Sequence, residues 1–240
     1  MGGGRCLPNA VGLARVSSGC ELNIESSVRR ESAGELHAVT PIWRQGVRIV
    51  QCVPTSPTIV LGSRQSADIV NESALMREGL EVVRRRSGGG AVLVDARQSV
   101  WVDIEVGVED SRYRSEPMAM MEQVGEWWMN ALRSLNCCPP DIWQFKGAMQ
   151  CDAGGDVICF AGRAHGELMV GESKLVGLSQ RRTRDGARVQ GQIHFDDPTD
   201  VMLAVLAEPV PLVRRPALLS EECREKIESG VLDALIAAVS

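Results

Sequence analysis

The sequence contains no uninterrupted apolar run of the roughly 18 to 20 residues that a membrane-spanning helix requires. Its N-terminal residues are rich in glycine and polar side chains, where a signal peptide would need an apolar core of about 7–15 residues. These two absences predict a cytoplasmic protein with no membrane partner. The net charge of −5 disfavours nucleic acid as a partner, because proteins that bind polyanions usually carry an excess of basic residues.

Cysteine patterns typical of metal sites are also missing. The eight cysteines form no C-x-x-C pair, and the three histidines form no pair at ligand spacing. We therefore predict no metal site. In a reducing compartment we expect most of the cysteines to be small buried apolar residues.

Lysine is scarce: Lys146, Lys174 and Lys226 are the only three among 26 basic residues. The glycine-rich stretch "RRRSGGGAV" (84–92) lacks the Gly-Lys-Ser/Thr of a phosphate loop and the G-x-G-x-x-G of a dinucleotide site. Its glycines lead into β-type sequence, not into a helix. We predict a bend between two strands in which bare backbone N–H groups face a ligand; the alternative is a tight hairpin with solvated arginines.

The rest of the chain alternates short β-type runs with a few helical patterns, which predicts a mixed α+β fold. We expect mixed or antiparallel sheets of short strands flanked by helices. Residues 1–33 are predicted to form a loosely ordered leader, and residues 34–240 a single domain ending in helices. The predicted strands include 47–53, 58–63, 99–106, 157–162, 166–171, 173–179 and 188–195, and the predicted helices are 67–79, 116–135, 199–208 and 220–240.

Three blocks of sequence together resemble one family. The stretch 84–92 is similar to the R-R-x-S-G-G-G-A-V signature of lipoate–protein ligases and octanoyltransferases, a family that shares its catalytic fold with biotin protein ligases. "LGSRQS" (61–66) resembles the G-x-x-Q segment that precedes it, and "GELMVGESKLVGLSQRRTRDGARVQGQIHFD" (166–196) resembles a later block containing K-x-x-G and S/A-Q. The blocks occur in the family's order over about residues 36–206.

This resemblance implies a pocket for a medium-length acyl chain and its activated carboxyl group. One wall would be formed by Arg85, Ser87, Gly88, Gly89 and Gly90, and the other by Lys174, Gly177 and Ser179, with Gln180 as a further substrate-binding residue. Lys174 would stabilise the oxyanion that forms at the acyl carbon. The implied partners are lipoyl-domain proteins, namely the E2 subunit of 2-oxoacid dehydrogenases or the glycine-cleavage H protein, with acyl carrier protein as a possible acyl donor.

Cys159 separates two versions of the chemistry. Some octanoyltransferases of this family use a cysteine followed by phenylalanine at this point as nucleophile, whereas ATP-dependent ligases generally have none there. The resemblance therefore implies octanoyl or lipoyl transfer through a thioester of Cys159, which requires no cofactor, and we expect Lys174 to lower the pKa of the thiol. The alternatives are an ATP- and Mg-dependent lipoate–protein ligase that forms lipoyl-adenylate, and a catalytically inactive acyl-binding homologue.

Two departures from the family pattern favour that last alternative. Where many members continue with an aromatic residue, His-Asp and Gly-Asn, this chain has "LVDARQ" (93–98) and keeps only Asp95. Where many have L-Q-H-G, it has "VQGQ" (189–192), which retains Gln190 but lacks the histidine. His194 is close in sequence but out of register.

Overall fold

The computed structural model describes residues 23–40 and 42–240, and its larger sheet has seven strands. In chain order these are β1 (Ile24–Glu31), β2 (Val47–Pro54), β6 (Ser99–Gly107), β7 (Ile142–Gln144), β8 (Leu168–Val170), β9 (Ser173–Arg182) and β10 (Gly186–His194). Their order across the sheet is β1-β2-β6-β10-β9-β8-β7. Only the β1–β2 pair of this sheet is parallel, and the other neighbours are antiparallel.

A smaller sheet carries the glycine-rich stretch. It consists of β3 (Thr58–Leu61), β4 (Glu81–Arg84) and β5 (Val92–Val94), with β3 in the centre. β3 is parallel to β4 and antiparallel to β5. The glycines therefore connect the two edge strands by passing the end of β3. The predicted bend between strands and the predicted α+β class with mixed sheets are both confirmed.

Within these described residues, five α-helices flank the sheets: α1 (Ala33–Ala38), α2 (Glu72–Glu78), α3 (Pro117–Ser134), α4 (Thr199–Val205) and α5 (Glu221–Val239). The long helices α3 and α5 share one apolar core with the larger sheet, and the largest of its fully buried side chains is that of Trp128. α2 and α4 contribute to a second core with the smaller sheet. In the described part of the chain, no helix is long and apolar enough to cross a membrane.

Helix α1 was not predicted, and its two ends are held by different interactions. At its start, Ser32 and Glu35 form a reciprocal capping box, which satisfies backbone N–H groups that a helix N-terminus leaves unpaired. Near its end, the buried guanidinium of Arg188 on β10 donates to the carbonyl oxygens of Leu36 (2.7 Å) and Val39 (3.0 Å). α1 is therefore fixed against the larger sheet.

Three predicted segments differ from the structure. The predicted helix 67–79 is a 3-10 turn at Ala67–Ile69 followed by α2, which begins after its capping residue Asn71. Within the predicted leader 1–33, residues 24–31 form β1, because pairing with β2 satisfies their backbone N–H and C=O groups even though most of the side chains are polar. Residues 1–22 lie outside the described residues. The predicted strand 157–162 is wrong: it contributes only a bridge between Ala91 and Ile158, followed by a 3-10 turn at Cys159–Ala161. A short apolar run has no periodicity that separates a strand from a buried turn.

Candidate active site

Two cavities meet at Cys159. The first, which we call the aromatic cavity, is lined by His37, Arg85, Val92, Val94, Trp101, Cys159, Phe160, Gly177, Leu178, Ser179, Gln190, Gly191 and Gln192. The second, the glycine cavity, is the larger and is lined by residues that include Gly88, Gly89, Gly90, Cys151, Cys159, Gly162, Arg163, Glu167, Lys174, Ser179 and Gln180. Every predicted site residue except Ser87 lines one of these cavities.

The backbone of Cys159 is fixed on both sides. Its N–H donates to Ala91 O at 2.8 Å, and Ala91 N–H donates to Val157 O at 2.7 Å, so the start of β5 and the segment before the cysteine run side by side. A Cβ added at Gly90 would lie 2.8 Å from Cys159 N, closer than side-chain carbons approach backbone. Glycine at position 90 is therefore required for this contact. The half-buried thiol side chain lies where the two cavities join.

Arg85 holds the glycine-rich bend in shape. Its side chain is buried and donates to the carbonyl oxygens of Val60 (3.3 Å), Gly88 (2.8 Å) and Gly90 (2.9 Å). Gly89 has a φ of +98°, and a Cβ there would lie 2.9 Å from Nη2 of Arg85. Because four of its N–H bonds go to three backbone carbonyls, Arg85 holds the cavity walls in shape and keeps few donors for an anion.

The block at 61–66, which also carries the family resemblance, helps to hold this bend in place. Gln65 accepts from Gly62 N–H at 2.9 Å and donates to Val157 O at 2.9 Å. A Cβ at Gly62 would lie 1.9 Å from Gly89 O, so position 62 also has to be glycine. The three blocks that are far apart in sequence are thus in direct contact around Cys159.

Lys174 is buried and paired with Glu167, a residue that the sequence analysis did not single out. Its Nζ lies 2.8 Å from Oε2 of Glu167 and donates to the carbonyl oxygen of Cys159 at 2.6 Å. The two side chains are 2% and 1% exposed. An ammonium group has three N–H bonds, so one donor remains for a ligand in the glycine cavity. The hydrogen bond from Nζ to Cys159 is made to the backbone carbonyl and not to the sulfur.

Glu167 is held by further hydrogen bonds. Its carboxylate accepts from the N–H groups of Ala164 (2.6 Å) and Leu178 (3.1 Å). Complete burial raises the pKa of Glu167, while the charge of Lys174 and these hydrogen bonds oppose the rise. The carboxylate thus connects the lysine with the turn before β8 and with the middle of β9.

The K-x-x-G spacing has a steric explanation. Gly177 lies against the ring of Phe160, and a Cβ there would lie 2.9 Å from two of the ring carbons and 3.5 Å from Cδ of Lys174. Phe160 directly follows Cys159 and lines the aromatic cavity. A side chain at position 177 would therefore displace the residue that fills the space behind the cysteine.

Replacing Gly177 with alanine is expected to destabilise the protein by about 1–3 kcal/mol, because the added methyl group overpacks the site. Chemical unfolding of the purified variant measures this. Gly34→Ala is the matched control: its Cβ would be 3.6 Å from Val83, an ordinary contact, and its stability should not fall. Adding Phe160→Leu to Gly177→Ala should restore much of the loss, and equal stability of Gly177→Ala and the wild type would contradict the steric explanation.

The remaining predicted residues lie at the junction of the two sheets. Ser87 is buried and its hydroxyl donates to Oε1 of Gln190 at 3.3 Å. The hydroxyl of Ser179 donates to Gly88 O at 3.4 Å. Gln180 lines the glycine cavity, and its Nε2 has no hydrogen-bond partner in the described part of the chain.

The position of the histidine missing from "VQGQ" has no room for a side chain, and a different histidine lines the aromatic cavity. A Cβ at Gly191 would lie 2.3 Å from Nε1 of Trp128, so no side chain fits at that position. His37 of α1 instead lines the aromatic cavity, with its Nδ1 3.2 Å from Nε2 of Gln190. His194 is buried against Phe160, at 4.4 Å between ring centroids, but does not line the cavity. The scarcity of histidine was the one sequence signal that could have pointed to His37.

Comparison with known proteins identifies the family. Residues 43–235 match the family described as the lipoyl protein ligase A/B catalytic domain. The chain belongs to this family. It is 32% identical over 166 residues to the octanoyltransferase LipM of Kyrpidia tusciae, an alignment covering 66% of this chain and 58% of that protein. The chain thus spans less than two thirds of that relative's length.

Solved structures show that the fold is the one used by this family. A protein of Thermoplasma acidophilum described as a putative lipoate protein ligase with bound lipoic acid matches with a TM-score of 0.63, at 15% identity, over 89% of this chain and 86% of that one. A lipoate-protein ligase A bound with ATP matches with a TM-score of 0.55, at 20% identity, over 79% and 72% of the two chains. The predicted lipoate-ligase-like fold is confirmed.

Proposed function

We propose that this member of the lipoyl protein ligase A/B family is an acyltransferase that moves an octanoyl or lipoyl group to the acceptor lysine of a lipoyl domain, through a thioester of Cys159. The observation that carries the proposal is the position of this thiol at the junction of two cavities, beside the Gly89 backbone. Lys174 donates a hydrogen bond to the backbone carbonyl of the same cysteine. A Cβ built at Gly89 would lie only 3.9 Å from Sγ. The similarity to an octanoyltransferase supports the same chemistry.

The first half-reaction forms the acyl-enzyme. The thiolate of Cys159 attacks the carbonyl carbon of an acyl thioester, and the carbonyl oxygen becomes an oxyanion. The N–H groups of the glycine bend and the remaining N–H of Lys174 would stabilise that charge. Collapse of the intermediate breaks the bond to the donor's sulfur, so the donor leaves as a thiol after taking up a proton.

The second half-reaction consumes the thioester. The neutral amine of the acceptor lysine attacks the acyl carbon, and a second oxyanion forms in the same place. Its collapse expels the Cys159 thiolate, and the proton lost by the amine restores the thiol. The product is an amide, and the enzyme returns to its starting state with no cofactor consumed.

The two cavities suit different parts of the substrates. The aromatic cavity contains Val92, Val94, Trp101 and Phe160, whose side chains favour a medium-length hydrocarbon chain. The glycine cavity contains Gly88–Gly90, Lys174, Ser179 and Gln180, whose polar groups suit the thioester and the incoming amine. Gly177 and Arg85 act by shaping the walls.

The proposed partners are lipoyl-domain proteins as acceptors, with acyl carrier protein or the glycine-cleavage H protein as donor, in the cytoplasm. One related structure is that of a bipartite archaeal lipoate protein ligase and its E2 lipoyl domain, with a TM-score of 0.53 at 17% identity. That likeness concerns the fold, and the acceptor is inferred from the family.

The ATP-dependent ligase is the second candidate. A lipoate-protein ligase with this fold is known with ATP bound. The glycine cavity is the larger of the two, and its lining includes Arg163, which forms an ion pair with the exposed Glu172 and is the candidate ligand for a phosphate. The third candidate, an inactive acyl-binding homologue, is favoured by the departures at 93–98 and 189–192.

A single assay separates the three candidates. A lipoyl domain is incubated with the protein and either octanoyl carrier protein or ATP, Mg and lipoate, and its mass is measured. Modification by the octanoyl donor without ATP is expected. Modification only with ATP and lipoate, together with lipoate-dependent exchange between ATP and pyrophosphate, would identify a ligase. Binding of octanoate without modification in either arm would leave only the inactive homologue.

A further inference from the structure

His37 occupies a position in the aromatic cavity that no sequence motif predicts. Its imidazole is 7% exposed and stacks on Trp101, with ring centroids 4.4 Å apart and planes inclined by 24°. Trp101 is held in turn by a hydrogen bond from its Nε1 to Asp103 (2.8 Å). Because Arg188 fixes the end of α1, the imidazole is positioned from both sides.

A chain of hydrogen bonds determines which ring nitrogen carries the proton. The hydroxyl of Ser87 donates to Oε1 of Gln190, so the amide nitrogen of Gln190 points to Nδ1 of His37. Nδ1 must then accept, and the proton of the neutral ring lies on Nε2. Burial lowers the pKa of His37 to about 3, and the charges of Arg188 and Arg85 add to that effect, so the ring is neutral near pH 7.

The resulting N–H of His37 has no partner. Nε2 is buried and makes no hydrogen bond to any residue in the described part of the chain. The nearby amide of Gln192, which also lines the cavity, spends its N–H groups on Leu93 O (2.9 Å) and Ser99 Oγ (3.1 Å). A buried donor without an acceptor is costly, and such groups in native proteins usually serve a ligand or a bound water molecule.

We propose that His37 is a specificity-determining residue: its Nε2–H donates to an oxygen or sulfur atom within the acyl chain. The inference rests on the proposed function, in which the aromatic cavity holds that chain. A fully saturated octanoyl chain offers no acceptor and would leave the donor unpaired. The site therefore selects medium-length chains that carry a heteroatom at the level of His37.

The test uses free carboxylates, which bind without being transferred. Octanoate and its ether analogues, in which an oxygen replaces one methylene at a time along the chain, are titrated into the intact protein by calorimetry. One analogue is expected to bind the wild type at least as tightly as octanoate. For that analogue, the affinity relative to octanoate should fall about tenfold in His37→Phe, which keeps the stacking on Trp101 but removes the donor.

Two further variants serve as controls. His37→Gln retains an N–H near the position of Nε2 and should keep most of the preference. His194→Phe makes the same exchange at a buried histidine that contacts Phe160 but does not line the cavity, and it should change the ratio less than twofold. Circular dichroism checks that each variant is folded.

The outcomes separate the inference from the proposed function. If octanoate binds the wild type and every ether analogue binds more weakly, or if His37→Phe leaves the ratio unchanged, the role of His37 is overturned while the acyl cavity stands. If neither octanoate nor any analogue binds, the acyl cavity itself is overturned, and with it the inference. If His37→Phe does not fold, the wild-type series and His37→Gln still decide.

Discussion

Cys159→Ala should abolish the octanoyl adduct and lower transfer to a lipoyl domain by about a thousandfold or more, because the covalent route loses its nucleophile. After incubation with octanoyl carrier protein, mass spectrometry of the wild type should find one added octanoyl group. The adduct should map to the peptide containing Cys159. No octanoyl adduct should be found on the Cys159→Ala variant, either in the intact protein or in its peptides.

Cys151→Ala is the matched control for this experiment. Cys151 lines the same glycine cavity and is the exposed thiol among the cysteines of residues 23–240 that the structure describes, so a non-specific reaction there would acylate it first. The control variant should keep both adduct and transfer. Undiminished transfer by Cys159→Ala would rule out the thioester mechanism. An adduct that is lost in Cys151→Ala would show that the acylation is adventitious.

Lys174→Met is the second substitution expected to have a large effect, and it should act on both stability and activity. Removing the ammonium leaves Glu167 buried without its counter-ion, which costs about 3–5 kcal/mol in comparable buried pairs. Removing an oxyanion donor should also slow transfer by about a hundredfold or more. Chemical unfolding measures the first effect, and single-turnover transfer measures the second.

The loss of stability in Lys174→Met should depend on pH. Burial already raises the pKa of Glu167 above its value in the unfolded chain, and removing the cation raises it further. The folded variant therefore binds the proton more tightly than the unfolded one, and its stability falls as pH rises through the folded-state pKa. The loss relative to wild type should be smaller at about pH 5 than at about pH 8.

A double variant separates the two effects. Lys174→Met with Glu167→Gln removes both charges, and the amide oxygen can still accept one of the two backbone N–H groups. It should recover about half or more of the lost stability but none of the activity. Lys146→Met is the control, because its exposed pair with Glu122 should be worth about 0–1 kcal/mol. Full activity in the stable double variant would exclude Lys174 from the chemistry.

Local sequence patterns were sufficient for much of the fold. Gly79, predicted as the end of a helix, caps α2 in the left-handed conformation with φ of 66°, which glycine adopts at little cost. The predicted strand 99–106 corresponds to β6, and the predicted helix 116–135 corresponds to α3. The segment 157–162 was mispredicted because its conformation depends on Ala91, a residue far away in sequence.

The sequence by itself determined the family, the candidate nucleophile and the candidate lysine, because glycines that permit close backbone contacts must stay at fixed spacing from the groups they accommodate. Only the tertiary structure decided what those groups touch. It paired Lys174 with Glu167, turned Arg85 onto backbone carbonyls, and brought His37 to Gln190 across 153 positions. The reason is physical: a buried charge or N–H group is satisfied by whatever the fold brings within hydrogen-bonding distance, and sequence spacing does not record that proximity.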